Sequence, residues 1–390
     1  MLTLLKGIEV YAPEYEGVKD ILIANGIIEN ISDEINVSGA DVTVIECKGK
    51  IALPGLFDQH EHIIGGGGEA GPFSRTPEVM LSSLTKNGIT TVVGVLGTDG
   101  TTRHVESLLT KARGLDSEGV SVYILTGSYE IPIKTITKDI RSDIILIDKV
   151  LGVGEVALSD HRSSQPTIEE LKKIATQARL GGMLSGKAGV FQLHMGDGKA
   201  GLTPIFDIIE TTEIPARHFI PTHINRQRKL FEQAIKLAKK GAFVDLTSGI
   251  VPHDDSSSSI KPSDAMVEYL EKGGPLDNLT MSSDGNGSMP SFDKNGNLIG
   301  LYAASPDSLF LEIKDAVLIN KLPIEKAIRV ITSNPAKANG LYPKKGAVKI
   351  GSDADILITD KELNIDTVIA KGKVMVENGV VKVFGTFENH

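Results

Sequence analysis

Eight short apolar segments, separated by helical segments, constrain the fold of this 390-residue chain more than any other feature of its sequence. Near-continuous hydrophobicity is typical of strands that are buried on both faces, as in parallel sheets. Eight strand–helix units over about 290 residues predict a (β/α)8 TIM-like barrel. A doubly wound sheet is the alternative, because alternation alone does not distinguish the two folds. The eight segments span residues 55–62, 90–98, 121–129, 152–160, 188–194, 218–223, 241–248 and 278–284.

The helical segments show capping signals and apolar residues at helical spacing. Thr167 and Glu170 fit a capping box, which predicts a helix over residues 167–179 that ends at Gly181. The same reasoning predicts three further helices. They cover residues 77–87, 227–240 and 324–331.

The sequence pattern at the two ends of the chain differs from that of the middle. Both consist of short strand-like pieces separated by Gly and Asn turn signals, with no convincing helical period. We therefore predict a small β-sandwich domain formed by residues 1–55 and 345–390. The barrel domain is expected to cover residues 56–344.

Net charge, cysteine content and hydropathy limit the binding partners and the cellular compartment that can be expected for this chain. It has 41 Lys and Arg against 50 Asp and Glu, a net charge of −9, which argues against nucleic-acid and anionic-membrane partners. Cys47 is the single cysteine, so an intrachain disulfide is impossible. No apolar run approaches the roughly 20 residues of a membrane helix, and Lys6 and Glu9 come too early for a signal peptide. These features predict a soluble cytoplasmic protein.

Histidines and a carboxylate close several of the apolar segments. In a barrel enzyme the C-terminal ends of the strands form the active site. Residues two apart on a strand point to the same side, so His60 and His62 would both face the barrel interior. A lone His-x-His can equally be a core feature, but a set spread over four strand ends predicts a centre for two divalent metals with one bridging carboxylate. Imidazole and carboxylate ligands suit zinc, and also Mn, Fe or Ni. The set comprises His60, His62, His194, His223 and Asp284.

Further polar residues lie near the same strand ends. Arg162 and Arg226 follow the fourth and sixth segments, and they either bind a carboxylate of the substrate or form surface ion pairs. Glu69 is either solvated or an anchor for a positive group on the substrate. It lies in the glycine-rich segment 65–71, which formally fits a dinucleotide fingerprint. Pro72 follows at once and no helix opens there, so the glycines are better explained by close approach of the backbone to a ligand.

Longer strings around these residues resemble the amidohydrolase superfamily of metal-dependent hydrolases and, within it, the isoaspartyl dipeptidases. The resemblance runs over nearly the whole chain, and it implies a homo-oligomer, with an octamer as one such assembly. The strings are DQHEHIIGGGGEAGP (58–72), RTPEVMLSSLTKNGITTVVGVLGTD (75–99), LTGSYEIP (125–132), SDHRS (159–163), HMGD (194–197), PTHINR (221–226) and SSDGNGS (282–288).

The resemblance implies two metal ions, with zinc as the expected metal. His60 and His62 would bind the first beside Asp284, and His194 and His223 would bind the second. The best-known family pattern has a carboxylated lysine between the metals, where this chain has Glu155. Glutamate also presents a carboxylate, and some relatives use it, but its shorter stem requires a closer strand or shifted metals. The alternative is that Glu155 faces elsewhere and one metal binds.

The resemblance also implies how a substrate is held. Glu69 would bind its α-amino group, Arg162 and Arg226 would bind carboxylate, and Tyr129 would polarise the scissile carbonyl. Further substrate contacts are implied for Gly67, Thr98 and Ser288.

The implied reaction is hydrolysis of β-aspartyl dipeptides by a hydroxide that bridges the metals. Asp284 would act first as general base and then as general acid. A different amidohydrolase, similar to D-aminoacylase or hydantoinase, is the alternative enzyme. The other alternative is a non-catalytic, metal-free scaffold on the same fold, although every expected ligand position holds a competent group.

Overall fold

The structure is a computed structural model that describes residues 2–38, 41–250, 252, 258–292 and 298–388. The strands are β1 (Leu2–Tyr11), β2 (Tyr15–Ala24), β3 (Ile27–Ser32), β4 (Val42–Glu46), β5 (Ile51–Pro54), β6 (Leu56–Glu61), β7 (Ile89–Gly94), β8 (Ser121–Thr126), β9 (Val150–Leu158), β10 (Val190–Met195), β11 (Phe219–Thr222), β12 (Val244–Thr247), β13 (Leu279–Ser282), β14 (Ser288–Phe292), β15 (Leu298–Ala303), β16 (Ile356–Thr359), β17 (Ile365–Ala370), β18 (Lys373–Glu377) and β19 (Val380–Val381). The α-helices are α1 (Leu81–Thr85), α2 (Val105–Glu118), α3 (Ile140–Leu146), α4 (Ile168–Ser185), α5 (Thr203–Thr211), α6 (Arg228–Ala238), α7 (Pro262–Glu271), α8 (Ser308–Leu318), α9 (Ile324–Ala327) and α10 (Ser333–Ala338).

The eight apolar segments form the eight parallel strands β6 to β13. Strands β6 to β11 make one curved sheet in sequence order, and β12 pairs with β13. A parallel bridge between Glu61 and Gly285 joins β6 to the chain just after β13, and Thr222 of β11 donates to Asp245 of β12 at 2.8 Å. Every residue of β6, β7 and β10 is buried, because helices cover one side and the barrel interior the other. The (β/α)8 fold is confirmed.

Strands from both termini combine in a separate mixed sheet. Its order is β19-β18-β17-β16-β5-β1-β2-β3, with β4 paired to the start of β1. The connection between the two ends is the antiparallel pairing of β5 with β16, for example Ala52 opposite Ile358. The core of this sheet is aliphatic and includes Ile8, Ile23 and Ile356, each without exposed surface or nearly so. The terminal β unit is thus confirmed, whereas its expected limits at residues 55 and 345 stay predictions; residues 1, 389 and 390 lie outside the described residues.

The helix predicted over residues 167–179 begins as expected but is longer. Thr167 Oγ1 accepts a hydrogen bond from Glu170 N at 3.3 Å, and Glu170 Oε2 accepts one from Thr167 N at 2.8 Å. The predicted end at Gly181 is wrong, because α4 runs on through this residue. Gly181 allows close packing instead of ending the helix, since a Cβ there would lie 3.0 Å from Ile144 Cβ.

Two other predicted helices differ from the sequence pattern, one in length and one in helix type. The predicted segment 77–87 becomes helical only at Leu81, because Met80 is extended, with φ of −100° and ψ of 152°, and Val79 N donates to Ile63 O at 3.1 Å. The segment 324–331 is an α-helix that tightens into a 3-10 helix over Ile328–Ile331. Among the residues that the structure describes, each helix is too short or too polar to cross a bilayer.

A buried polar layer lies inside the barrel, below the strand ends. Asp245 accepts hydrogen bonds from Gln59 Nε2 at 2.7 Å, Thr280 Oγ1 at 2.7 Å and Ser282 Oγ at 2.5 Å, besides the bond from Thr222. Burial raises the pKa of Asp245, and these hydrogen bonds act to lower it. One carboxyl group of β12 therefore connects this strand with β6, β11 and β13, the three of which carry candidate ligands at their ends.

Lys345 joins the terminal sheet to the barrel and provides a stability prediction. Its side chain is 2% exposed, and Nζ lies 2.5 Å from Ser121 Oγ, 2.6 Å from Asp355 and 2.8 Å from Asp353. We expect Lys345→Met to lower the free energy of unfolding by about 3–5 kcal/mol, because buried carboxylates lose their cation. Urea denaturation monitored by circular dichroism measures this free energy. The exposed Lys344→Met control should shift it by less than about 0.5 kcal/mol, and equal unfolding midpoints for the two variants would contradict the prediction.

Candidate active site

The candidate residues converge at the C-terminal ends of the barrel strands. Two of them, His223 and Asp284, have left-handed backbone, with φ of 62° and 54°. Such conformations are uncommon for residues with a side chain and cluster at functional sites, where surrounding structure holds them in place. From these positions His223 Nε2 lies 3.8 Å from Glu155 Oε2, and Asp284 Oδ1 lies 3.4 Å from His60 Nε2.

One oxygen of Glu155 faces the ligands predicted for the first metal. Glu155 Oε1 lies 3.3 Å from His60 Nε2 and 3.6 Å from His62 Nε2. Asp284 Oδ1 lies 3.4 Å and 3.1 Å from the same two nitrogens. The first group of side chains that could hold a metal ion is accordingly His60, His62 and Glu155, all buried.

The other oxygen of Glu155 faces the second pair of histidines. Glu155 Oε2 lies 3.2 Å from His194 Nδ1 and 3.8 Å from His223 Nε2, and these two nitrogens are 2.8 Å apart. Glu155, His194 and His223 form the second group that could hold a metal ion. The alternative in which Glu155 faces elsewhere is therefore wrong, because its carboxylate lies between the two pairs.

Glycine at position 154 allows this strand to come close. Gly154 has φ of 155°, and a Cβ there would lie 2.9 Å from Gln192 Cβ and 3.0 Å from Gln192 O. A residue with a side chain would push β9 away from β10. The peptide bond between Gly154 and Glu155 is cis.

The electrostatics of the cluster favour a cation. Burial acts to lower the pKa of His60, but the charges of Glu155 and Asp284 outweigh it and raise that pKa to about 10. Burial and the adjacent His194 lower the pKa of His223 to about 3, which leaves the neutral imidazole that a metal requires. The buried carboxylates of Glu155 and Asp284 thus favour the binding of a cation between the histidines.

Unpartnered polar atoms test whether the residues fit metal ions. Within the part of the chain that the structure describes, both ring nitrogens of His60, Nδ1 of His62 and Oε1 of Glu155 are buried without a hydrogen-bond partner. Buried polar groups are normally satisfied, so these atoms call for a ligand. Imidazole nitrogen and carboxylate oxygen are donors that divalent transition metals and zinc accept, so the residues fit.

Tyr129 and Arg162 surround His194 on the open side of the cluster. The Tyr129 hydroxyl lies 2.6 Å from His194 Nδ1, and burial together with the charge of Glu155 raises the pKa of Tyr129 well above its usual value. The phenol is therefore protonated at neutral pH and can donate. Arg162 Nη2 lies 3.0 Å from His194 Nε2, and the Arg226 Nη1 atom is 3.4 Å from the same nitrogen.

The residues expected to bind substrate form a connected rim. Thr98 Oγ1 donates to Glu69 Oε1 at 2.6 Å, and Arg162 Nη1 lies 3.3 Å from the same oxygen. Gly67 packs on Ser288, because a Cβ at Gly67 would lie 2.5 Å from Ser288 Cβ. All of the predicted site residues are thus brought to one end of the barrel.

Sequence reasoning missed two residues that orient this site. Asp160 accepts bonds from Arg162 Nε and Nη2, both at 2.9 Å, and its Oδ2 lies 3.2 Å from His194 Nε2. Thr247 Oγ1 lies 2.7 Å from His223 Nδ1. The positions of these two residues in the sequence could have indicated both. Asp160 precedes Arg162 by two residues, and Thr247 ends the seventh strand, to which no site residue had been assigned.

Comparisons with known proteins agree with this geometry. A model of the amidohydrolase family matches residues 51–375. The chain is 44% identical to beta-aspartyl dipeptidase from the thermophilic keratin-degrading Fervidobacterium islandicum AW-1, solved in complex with a beta-Asp-Leu dipeptide. That similarity covers 100% of both chains, with a TM-score of 0.91.

Two more distant proteins bear on the alternative enzymes. A dihydroorotase of Acetivibrio thermocellus is 26% identical, over 95% of this chain and 91% of its own. A D-hydantoinase structure covers 100% of this chain and 98% of its own with a TM-score of 0.67, but at 16% identity it shares the fold alone.

Proposed function

This chain belongs to the amidohydrolase family and, within it, to the beta-aspartyl dipeptidases, and on that premise we propose that it hydrolyses β-aspartyl dipeptides such as β-Asp-Leu. It is a metal-dependent hydrolase rather than a non-catalytic scaffold. The observation that carries the proposal is the position of Glu155, whose two oxygens face two separate histidine pairs. The D-aminoacylase-like and hydantoinase-like alternatives have less support, because the D-hydantoinase structure is 16% identical to this chain, against 44% for the beta-aspartyl dipeptidase structure.

Two divalent metal ions, with zinc as the expected metal, would be held at this centre. His60, His62 and Asp284 would hold the first, His194 and His223 would hold the second, and Glu155 would be shared. When bound, the ions would lower the pKa of a water molecule and polarise the amide carbonyl of the substrate.

Asp284 is proposed to move the proton in this reaction. Burial acts to raise its pKa, but the hydrogen bond with His62 and the charge of His60 hold that pKa well below its usual value. The carboxylate is therefore in its basic form at neutral pH. It would accept the proton of the attacking water and deliver it to the leaving amine.

Tyr129 is proposed to stabilise the negative charge that develops on the carbonyl oxygen. Its protonated hydroxyl is buried beside His194, and it can donate a hydrogen bond without first being desolvated. The rim formed by Glu69, Thr98 and Arg162 would fix the ammonium and carboxylate groups of the substrate. Gly67, Ser288 and Arg226 would add the remaining contacts.

The proposal is tested by metal content and cleavage on one sample. We expect about two metal ions per chain by plasma mass spectrometry, release of leucine from β-Asp-Leu, and no comparable release from α-Asp-Leu. Dihydroorotate and hydantoin serve as substrates of the alternative enzymes. Two metals with rapid ring opening and no β-Asp-Leu cleavage would contradict the proposed substrate.

Arg226→Met tests carboxylate recognition. Arg226 Nη1 donates to Met195 O at 3.0 Å, and its side chain is 25% exposed toward the rim. We expect kcat/KM for β-Asp-Leu to fall about 10²-fold with unchanged metal content, because a charge-assisted hydrogen bond to the substrate is lost. The control is Arg228→Met, which removes a surface pair with Glu268 and should leave kcat/KM within about twofold. Equal losses in the two variants would contradict the assignment.

The cellular setting and assembly are further parts of the proposal. We propose a cytoplasmic homo-oligomer, with the octamer as the assembly to test. A single cysteine, Cys47, is consistent with a reducing compartment, and the exposed Leu146, Met183 and Leu184 are apolar side chains that a subunit contact would bury. Light scattering on the purified enzyme gives the mass, and a monomer at micromolar concentration would contradict the assembly.

A further inference from the structure

Arg103 lies outside every role assigned so far, yet its side chain is almost fully buried beside the site. It follows β7 and precedes α2, and its side chain is 6% exposed. The guanidinium donates to four backbone carbonyls. They are Ile64 O at 3.2 Å, Gly66 O at 3.0 Å, Gly67 O at 3.4 Å and Thr76 O at 3.2 Å.

These four carbonyls belong to the two ends of one loop, residues 64–76, here called the glycine loop. The loop carries Gly67 and Glu69, which the proposed function assigns to substrate binding. A planar guanidinium has five donors in a fixed fork and can satisfy several carbonyls at once, whereas an ammonium cannot match that geometry. Arg103 therefore fixes the separation of the two ends of the loop.

The glycine loop is also held by polar contacts that converge on the same ends. Thr76 Oγ1 accepts from Gly66 N at 2.7 Å and donates to Asn286 O at 2.6 Å. Gly67 forms an isolated antiparallel bridge with Arg75, whose Nη1 lies 2.6 Å from Asp99 Oδ2. The tip of the loop carries Glu69, and the carboxylate of Glu69 is contacted by Thr98 and Arg162.

We propose that Arg103 is a positioning residue for recognition of the substrate's ammonium group, which it serves by holding the glycine loop so that Glu69 is presented at the rim. The inference rests on the proposed function, since it assigns no new reaction. Arg103 hydrogen-bonds to the loop and to none of the candidate metal ligands, so its effect falls on substrate binding rather than on metal content.

The first test separates KM from kcat. We expect Arg103→Met to raise KM for β-Asp-Leu about 10- to 100-fold, with kcat within about threefold of the unchanged chain, because a small misplacement of a binding group has an effect of this size. Metal content should remain at about two per chain. Arg113→Met, on the exposed side of α2, is the matched control and should leave KM unchanged.

A double-mutant cycle tests the route through Glu69. If Arg103 acts by presenting Glu69, Arg103→Met should raise KM less than about twofold in a Glu69→Gln background. Succinyl-leucine, which is β-Asp-Leu without its α-amino group, should inhibit the unchanged chain and Arg103→Met with nearly equal inhibition constants.

The outcomes separate this inference from the proposed function. Normal cleavage by the unchanged chain together with an unchanged KM in Arg103→Met would overturn the inference alone, as would full additivity with Glu69→Gln. Absence of cleavage by the unchanged chain would overturn both. If Arg103→Met does not fold by circular dichroism, Arg103→Lys replaces it, because it keeps the charge and loses the fork; an unchanged KM in Arg103→Lys would then overturn the inference.

Discussion

Replacing Glu155 with glutamine is expected to reduce the metal content from about two ions per chain to one or none, and to lower kcat/KM for β-Asp-Leu by about 10³-fold or more. The amide of glutamine cannot offer an anionic oxygen to both proposed metal positions, one beside His60 and one beside His194, which lie 3.3 Å and 3.2 Å from the two carboxylate oxygens. Metal polarisation contributes several kcal/mol to such reactions, and each 1.36 kcal/mol is about tenfold in rate. Plasma mass spectrometry and steady-state kinetics measure the two effects on one preparation.

The control for this variant is Glu169→Gln on the surface of α4, whose carboxylate is 74% exposed and pairs with Lys172. It should keep both metals and full activity. Two metals per chain and unchanged kinetics in Glu155→Gln would show that Glu155 does not bridge, whatever its distance from the histidines.

The Asp284→Asn variant is expected to lose about 10³-fold in kcat with a much smaller change in KM. Asparagine has nearly the same shape but cannot accept the proton of the attacking water, and general acid–base catalysis contributes about 10²- to 10⁴-fold. The low pKa of Asp284 predicts how kcat depends on pH. In the unchanged chain its carboxylate stays ionised through neutral pH and becomes protonated only at acidic pH. The acidic limb of the kcat profile that belongs to Asp284 should therefore disappear in the variant.

The comparison variant is Asp207→Asn on the exposed face of α5, which should retain kcat and its pH profile. Metal content has to be measured for Asp284→Asn, since Asp284 Oδ1 also lies 3.1 Å from His62 Nε2. A kcat within threefold of the unchanged chain, at full metal content, would assign the proton transfer to another group.

The strands of the barrel and the identity of the candidate ligands could be inferred without the structure. Burial on both faces requires apolar residues at nearly every position of a strand, so the eight segments could be identified in the sequence. His60 and His62 share a side because the side-chain period of a strand is two. The role of Tyr129 came from family resemblance alone, and the residues left two roles open for Glu69, because a single Glu or Tyr in a loop carries no periodic signal.

How these residues meet became apparent only in the folded chain. Glu155 lies within an otherwise apolar strand, and the direction of its carboxylate depends on how closely β9 approaches β10 at Gly154. Asp160, Thr247 and Arg103 act through contacts with residues 24 to 39 positions away, such as the 2.7 Å contact of Thr247 with His223 and the bond from Arg103 to Ile64 O. Local sequence encodes local periodicity, whereas contacts between distant segments follow from closing eight strands into one barrel, which brings their ends together at a single face.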